Sequence, residues 1–225
     1  MLRDFVALIY PHLCYACGRS LYSHEQCICT YCQYHLPKTH FELNPDNRLS
    51  RLFWGRVPLE GATAYYHFDK GNKVQRLVHH LKYRGKTEIG QTIGRLVGHT
   101  LREQPPYAQV DCVVPVPLHP RKQRKRGYNQ SDFLAQGIAE GLQKPWTTDN
   151  LIRNVANPSQ TRRSRFQRWK NVENIFALRQ PQLLEGRHVL LVDDVITTGS
   201  TIEACATALL KVPNLRLSVA AMACT

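Results

Sequence analysis

The chain has 225 residues, 43% of them hydrophobic, which is enough for one α/β domain plus a small module. Lys and Arg outnumber Asp and Glu by 30 to 17, a formal net charge of +13, so where that excess sits matters more than its size. No apolar run approaches the ~20 residues that a membrane helix needs, and the run at 5–9 is too short for a secretory signal and follows Asp4. The protein is expected to stay in the cytoplasm.

The first element is a cysteine cluster. Cys14-x2-Cys17 and Cys29-x2-Cys32 are two knuckles eleven residues apart, the spacing of a four-thiolate zinc site. Each pair can bite one metal from a tight turn, and Gly18 suits the turn after the first. Disulfides are the competing reading, but a chain without an export signal keeps its thiols reduced. Four thiolates leave no open position, so the zinc is expected to be structural. Cys27 is a fifth thiol that could compete with Cys29. Residues 1–40 carry three basic and two acidic side chains, too few cations for a module that grips DNA by itself.

Residues 41–58 read as a linker with turn chemistry at Asn44-Pro45-Asp46-Asn47, and Phe53 and Trp54 are expected to dock the module on the next domain. A strand is expected at 62–68. Val74, Leu77, Val78 and Leu81 then mark one helix face, and Ile89, Ile93, Leu96, Val97 and Leu101 a second, ended before Pro105-Pro106. The next element is a buried strand at 110–114. His79 and His80 have no ligand partners at metal spacing and read as packing or surface residues. Cys112, Cys205 and Cys224 read as core.

The strand at 110–114 runs into Pro115-Val116-Pro117 and then a tract at 121–126 in which five of six residues are basic, including Arg124, Lys125 and Arg126. A second tract, 160–172, holds Arg162, Arg163, Arg165, Arg168 and Lys170, interleaved with Phe166 and Trp169. Without these ten cations the chain has 20 basic against 17 acidic residues, so the two tracts carry most of the excess. One such tract alone would be a solvated charge run. Two that bracket the same fold, one with aromatics, point to an anionic ligand, and Arg beside aromatic rings suits single-stranded nucleic acid.

The most informative stretch is 189–201, VLLVDDVITTGST. Val189-Leu190-Leu191-Val192 has the composition of a strand buried on both faces. Asp193 and Asp194 stand where that strand would end. Thr197, Thr198, Gly199, Ser200 and Thr201 form a polar loop, and Ser200 with Glu203 reads as a capping box. Ile202, Cys205, Ala206, Leu209 and Leu210 continue at helical spacing. A strand, a hydroxyl-rich loop and a helix start make an anion cradle, because free N–H groups and the helix dipole point into the loop. Carboxylates beside a phosphate need another task, and accepting hydrogen bonds from vicinal sugar hydroxyls, with a divalent metal nearby, is the natural one. The loop reads as a ribose-5-phosphate site.

This stretch resembles the phosphoribosyl-pyrophosphate (PRPP) loop of the type I phosphoribosyltransferases, and the basic tract at 121–126 matches in position their pyrophosphate-binding loop. The resemblance narrows to the ComF family of competence proteins through the CxxC pairs, Leu81-Lys82-Tyr83-Arg84-Gly85, Pro115-Val116-Pro117, Arg126-Gly127-Tyr128-Asn129-Gln130, and Gln160-Thr161 followed by Arg165, Arg168, Asn171-Val172 and Phe176. Arg162 and Arg163 depart from it, standing where the family often has smaller or apolar residues. The resemblance implies a zinc module at 1–40, a linker at 41–58 and a phosphoribosyltransferase-like parallel-sheet domain at 59–225. It also implies a role in DNA uptake during natural transformation, or in the use of external DNA as a nutrient. On this reading the protein handles incoming single-stranded DNA and binds PRPP with magnesium, with competence or DNA-processing proteins as partners. An active phosphoribosyltransferase and a PRPP sensor are the alternatives. For the enzyme, no base-recognition element and no catalytic acid or base outside the loop declares itself.

Overall fold

The computed structural model describes residues 11–154 and 175–225; the apolar run at 5–9 and the whole second basic tract lie outside them. The first knuckle is a tight turn: Gly18, at φ +79, donates its N–H to the Cys14 carbonyl at 2.8 Å, and Leu13 bridges Ser20 across it. The second knuckle ends in helix α1 (Thr30–His35), whose Gln33 N–H meets the Cys29 carbonyl.

Residues 41–58 pack as part of the body. Asn47 caps the short helix α2 (Arg48–Arg51) by accepting from Leu49 and Ser50, and its side-chain amide donates to the Ala62 carbonyl at 2.9 Å. Phe53 is buried, but Trp54 is 61% exposed, with Arg51 over its ring. Phe53 docks the 41–58 segment itself, in the cluster that α7 covers, whereas the cysteine module packs in the cluster on the other face, so neither residue docks the module.

Strand β1 (Gly61–His67) comes next, then helices α3 (Lys73–Tyr83) and α4 (Glu88–Leu101), strand β2 (Cys112–Pro115), and helices α5 (Pro120–Arg126) and α6 (Gln130–Leu142). A two-stranded ribbon, β3 (Leu151–Arg153) with β4 (Phe176–Leu178), precedes strand β5 (His188–Ile196), helix α7 (Ser200–Leu209) and strand β6 (Arg216–Cys224). The main sheet is parallel throughout, in the order β1-β6-β5-β2. A parallel sheet must be covered on both faces, which is why Val189, Leu190, Leu191 and Val192 are all buried without alternation. Helices α3, α4 and α6 cover one face; α7 and the 41–58 segment cover the other. The stripes at 74–81, 89–101 and 202–209 form the inner faces of their helices. Among the described residues no helix is long and apolar enough to cross a membrane.

The strand carrying the acidic pair runs further than expected. β5 continues to Ile196 because β6 is equally long and pairs with it through Asp193↔Ala221 and Ile196↔Cys224. The carboxylates therefore sit on a fixed strand, and the loop begins at Thr197.

Candidate functional site

Two sites assemble, one from each half of the sequence pattern. In the first, the Sγ atoms of Cys14, Cys17, Cys29 and Cys32 all lie within 4.8 Å of one another, and Cys17 Sγ is 3.7 Å from Cys29 Sγ. Tetrahedral Zn–S bonds of about 2.3 Å imply sulfur separations of about 3.8 Å, so the donors fit zinc. The Cys29 N–H donates to Cys14 Sγ at 3.3 Å. Burial works against ionisation of Cys17, but the Arg19 backbone and the neighbouring thiols outweigh it and hold the thiol down at about 7, as a ligand requires. Cys27 is outside the set: it is buried against α4, with Sγ 3.9 Å from the Glu88 carbonyl, and burial pushes its thiol up to about 11.

The module is bolted to the start of α4. Tyr15 donates to Glu88 Oε1 at 2.8 Å and lies under the Lys86 ammonium, while Arg76 donates to the Ala16 carbonyl. These contacts frame the turn at 84–87, whose Gly85 lines a cleft with Lys82 and Tyr83.

The second site lies at the carboxyl end of β5. Asp193 accepts from Ser131 Oγ at 3.1 Å and from the Asp194 N–H at 2.8 Å. Asp194 is buried, and its Oδ2 lies 2.7 Å from Lys82 Nζ. Burial, then the neighbouring Asp194 charge, raise the Asp193 carboxyl to about 7. Thr197, Thr198, Ser200 and Thr201 surround a small cleft of about 40 Å³ that also touches Asp193. The first-turn N–H groups of α7 have no helical carbonyl to meet and face this side.

One expectation about this loop changes. Gly199, at φ +75, is itself the N-cap of α7, so Ser200 is inside the helix and the capping box does not form; Glu203 instead pairs with Arg56. A Cβ at Gly199 would meet Phe53 Cε1 at 2.8 Å and Leu52 Cδ2 at 3.0 Å. The glycine therefore serves the packing of the loop on 52–53.

The first basic tract is a helix, not a loop. Pro120 at its first turn, His119 Nδ1 accepting from the Arg121 N–H at 3.1 Å, and left-handed Gly127 at its end bound α5. Helical phase sorts its cations. Lys122, Lys125 and Arg126 line a cleft of about 430 Å³ with Lys82, Tyr83, Gly85 and Tyr128. Arg124 is exposed elsewhere on the helix and does not line it. Arg126 lies 5.6 Å from the Tyr83 ring centroid, and the Tyr128 hydroxyl donates to the Leu81 carbonyl. Arg162, Arg163, Arg165, Phe166, Arg168 and Trp169 lie outside the described residues. Sequence reasoning does not single out Lys82, Tyr83, Lys122 and Tyr128 as site residues, although the motifs that contain them carry the signal.

Lys82 joins the two halves, since it lines the basic cleft and holds Asp194. The arrangement sets a hydroxyl-lined helix start touched by Asp193, a buried Asp194 held by Lys82, and a separate cationic, aromatic-walled cleft next to one another.

The pH behaviour of Asp193 has a definite sign. Its folded pKa of about 7 lies above the ordinary 3.8, so the folded state keeps a proton that the unfolded chain gives up as pH rises between them. The carboxylate therefore costs stability progressively from about pH 4 to about pH 7 and in full above that. Asp193→Asn, which can keep both accepted hydrogen bonds, is expected to raise Tm relative to wild type at about pH 8 and to leave it unchanged at about pH 4. Paired thermal melts at the two pH values check this.

Residues 132–222 match the family described as "Phosphoribosyl transferase domain". The chain is 32% identical over 216 residues to "DNA utilization protein YhgH" of Escherichia coli (strain K12), covering 94% of this chain and 89% of that one. It is 34% identical over 131 residues to "Competence protein F" of Haemophilus influenzae, covering 56% and 57% of the two chains. It is 26% identical over 209 residues to "Competence protein ComFC" of Bacillus subtilis, covering 93% and 76%. With a four-cysteine cluster ahead of a parallel-sheet domain of type I phosphoribosyltransferase fold, the chain belongs to the ComF family.

Proposed function

We propose that the protein acts in the cytoplasm in DNA uptake or the use of external DNA, handling incoming single strands, and that it binds PRPP at the β5–α7 loop. The names of its relatives support the DNA role. The observation that carries the combination is the Lys82–Asp194 pair, which puts a basic cleft and a sugar-phosphate cradle side by side. In this reading Thr197, Thr198, Gly199, Ser200 and Thr201 hold the 5′-phosphate and Asp193 and Asp194 the ribose hydroxyls, with magnesium accompanying the pyrophosphate. Lys122, Lys125 and Arg126 meet phosphates, Tyr83 offers a ring for a base, and the 160–172 tract adds Arg and aromatic side chains by its sequence alone. The four-cysteine zinc is structural, supporting the turn at 84–87.

The test is the salt dependence of single-stranded DNA binding. Each phosphate contact releases condensed counterion, with a log–log slope of roughly −0.7 per contact. Neutralising Lys122, Lys125 and Arg126 together is expected to flatten the slope by about two units. Tyr83→Ala is expected to weaken binding by roughly 1–3 kcal/mol with the slope unchanged, because it removes a stacking face and no charge. DNA binding that is weak in the wild type and indifferent to the triple neutralisation would leave the cleft to pyrophosphate alone, and a PRPP sensor or enzyme would replace the DNA-handling reading.

A further inference from the structure

A cleft of about 500 Å³ lies at the other end of the main sheet, and it shares no residue with the PRPP loop or the basic cleft. It touches Cys112 and Arg187, which stand where β2 and β5 begin, whereas the sugar-phosphate cradle is at the carboxyl end of β5. Trp146 and Leu183 line it and are 39% and 59% exposed. Arg179 and Arg187 line it too, and among the described residues neither guanidinium makes a hydrogen bond or an ion pair. The acids here are Asp111, which accepts the His188 N–H at 2.7 Å, and Asp149. Asn150 ties the two walls together. It is buried, donates to the Gln180 carbonyl at 2.9 Å and accepts the Gln180 N–H at 2.9 Å.

Protection of the sheet edge explains part of this. The Val113 N–H donates to the Pro145 carbonyl at 2.9 Å and the Thr147 N–H to the Val113 carbonyl at 3.1 Å, so 145–147 covers the outer edge of β2. Backbone alone does that. It does not call for an indole open to solvent or for two unpaired guanidiniums in the same cleft.

We propose that this cleft binds a nucleotide unit, with the base stacked on Trp146 and the phosphate held by Arg179 and Arg187. An indole offers its π-face to any base, and a guanidinium fork matches phosphate oxygens two at a time. The volume is in the range of small-ligand sites. Asp149 would repel a phosphate and suits an amino group on the base edge instead. Two sources share this chemistry, a residue of single-stranded DNA and a free nucleoside phosphate, and only the first rests on the DNA-handling reading. For a strand the two clefts are linked. A polar cleft of about 340 Å³ shares Asp149 and Arg179 with this one and reaches Gln123 on α5, the helix that carries Lys122 and Lys125.

The experiment titrates the full-length, zinc-loaded protein with dAMP and with a single-stranded oligodeoxyadenylate, read by tryptophan fluorescence and calorimetry. A base stacked on the indole is expected to quench the wild-type fluorescence, and the quench is expected to shrink in Trp146→Phe. Trp146→Ala is expected to weaken binding roughly 5- to 150-fold, the loss of one stacking face. Joint Arg179→Gln and Arg187→Gln, whose side chains hold nothing else among the described residues, is expected to weaken binding with Tm unchanged. For the oligonucleotide it is also expected to flatten the log–log salt slope by about 1.4 units, two contacts at roughly 0.7 each. Saturable dAMP binding that these variants weaken supports the cleft with a free nucleotide as its source, and losses confined to the oligonucleotide support it with the strand. Binding of both ligands that is the same in wild type, Trp146→Ala and the arginine double variant overturns the proposal. If that binding still depends on Lys122, Lys125 and Arg126, the DNA-handling reading stands without it. No binding of either ligand by the wild type overturns both.

Discussion

Cys14→Ser is expected to cost the protein its zinc and its N-terminal module together. A bound zinc would stand in for an apolar core: among the described residues of the module, Ala16, Ile28 and Leu36 are the buried apolar ones besides the cysteines themselves. Apparent binding free energies of structural zinc are about 10–16 kcal/mol at neutral pH, and in so small a unit they are folding free energy. Without the metal, burial and the neighbouring thiols drive the Cys32 thiol up, and the four sulfurs have no cation to share. Loss of the module removes the Tyr15–Glu88 hydrogen bond and the packing of the Tyr15 ring on His80 and Lys86. Elemental analysis is expected to give about one zinc per chain in the wild type and in Cys27→Ser. It is expected to give none in Cys14→Ser or Cys32→Ser, with much less soluble protein in these two. Full zinc in the Cys14 and Cys32 variants would contradict the assignment.

Lys82→Met is expected to have the second largest effect. The Asp194 side chain is 4% exposed, and Lys82 is its cation. Breaking a buried pair from one side costs about 3–5 kcal/mol, because the remaining charge is neither solvated nor compensated. For a domain of this size that is on the order of 10 °C in Tm. Lys82→Arg, which restores a cation beside Asp194, is expected to recover much of the loss. A merely apolar role for the Lys82 stem, which Met preserves, predicts no loss in Lys82→Met. Thermal melts of the two variants beside the wild type separate the readings.

How much the sequence shows by itself depends on how local each feature is. The CxxC pairs are legible because a metal bite is made within four residues, and the parallel strand at 189–192 because burial on both faces leaves an unbroken apolar run. The acidic pair and hydroxyl loop are legible for the same reason. Lys82 is not, because only the packing of α3 against the sheet brings it to Asp194. Helical phase is a second source of error. A tract that is basic at five of six positions gives no hint that Lys122 faces the cleft and Arg124 does not until α5 is known to be a helix, and Pro120 and Gly127 are the signals for that. The capping box does not form because the left-handed Gly199 takes the cap position one residue early.

The central claim is that the carboxyl end of β5 and the start of α7 form a PRPP site, and calorimetric titration with PRPP and magnesium tests it most directly. One site per chain is expected in the wild type. Replacing Asp193 and Asp194 together with Asn is expected to weaken it by several kcal/mol, since two charged acceptors of sugar hydroxyls are lost, while circular dichroism and zinc content stay as in the wild type. No heat of binding from the folded, zinc-loaded wild type, or undiminished affinity in the double variant, would contradict the account.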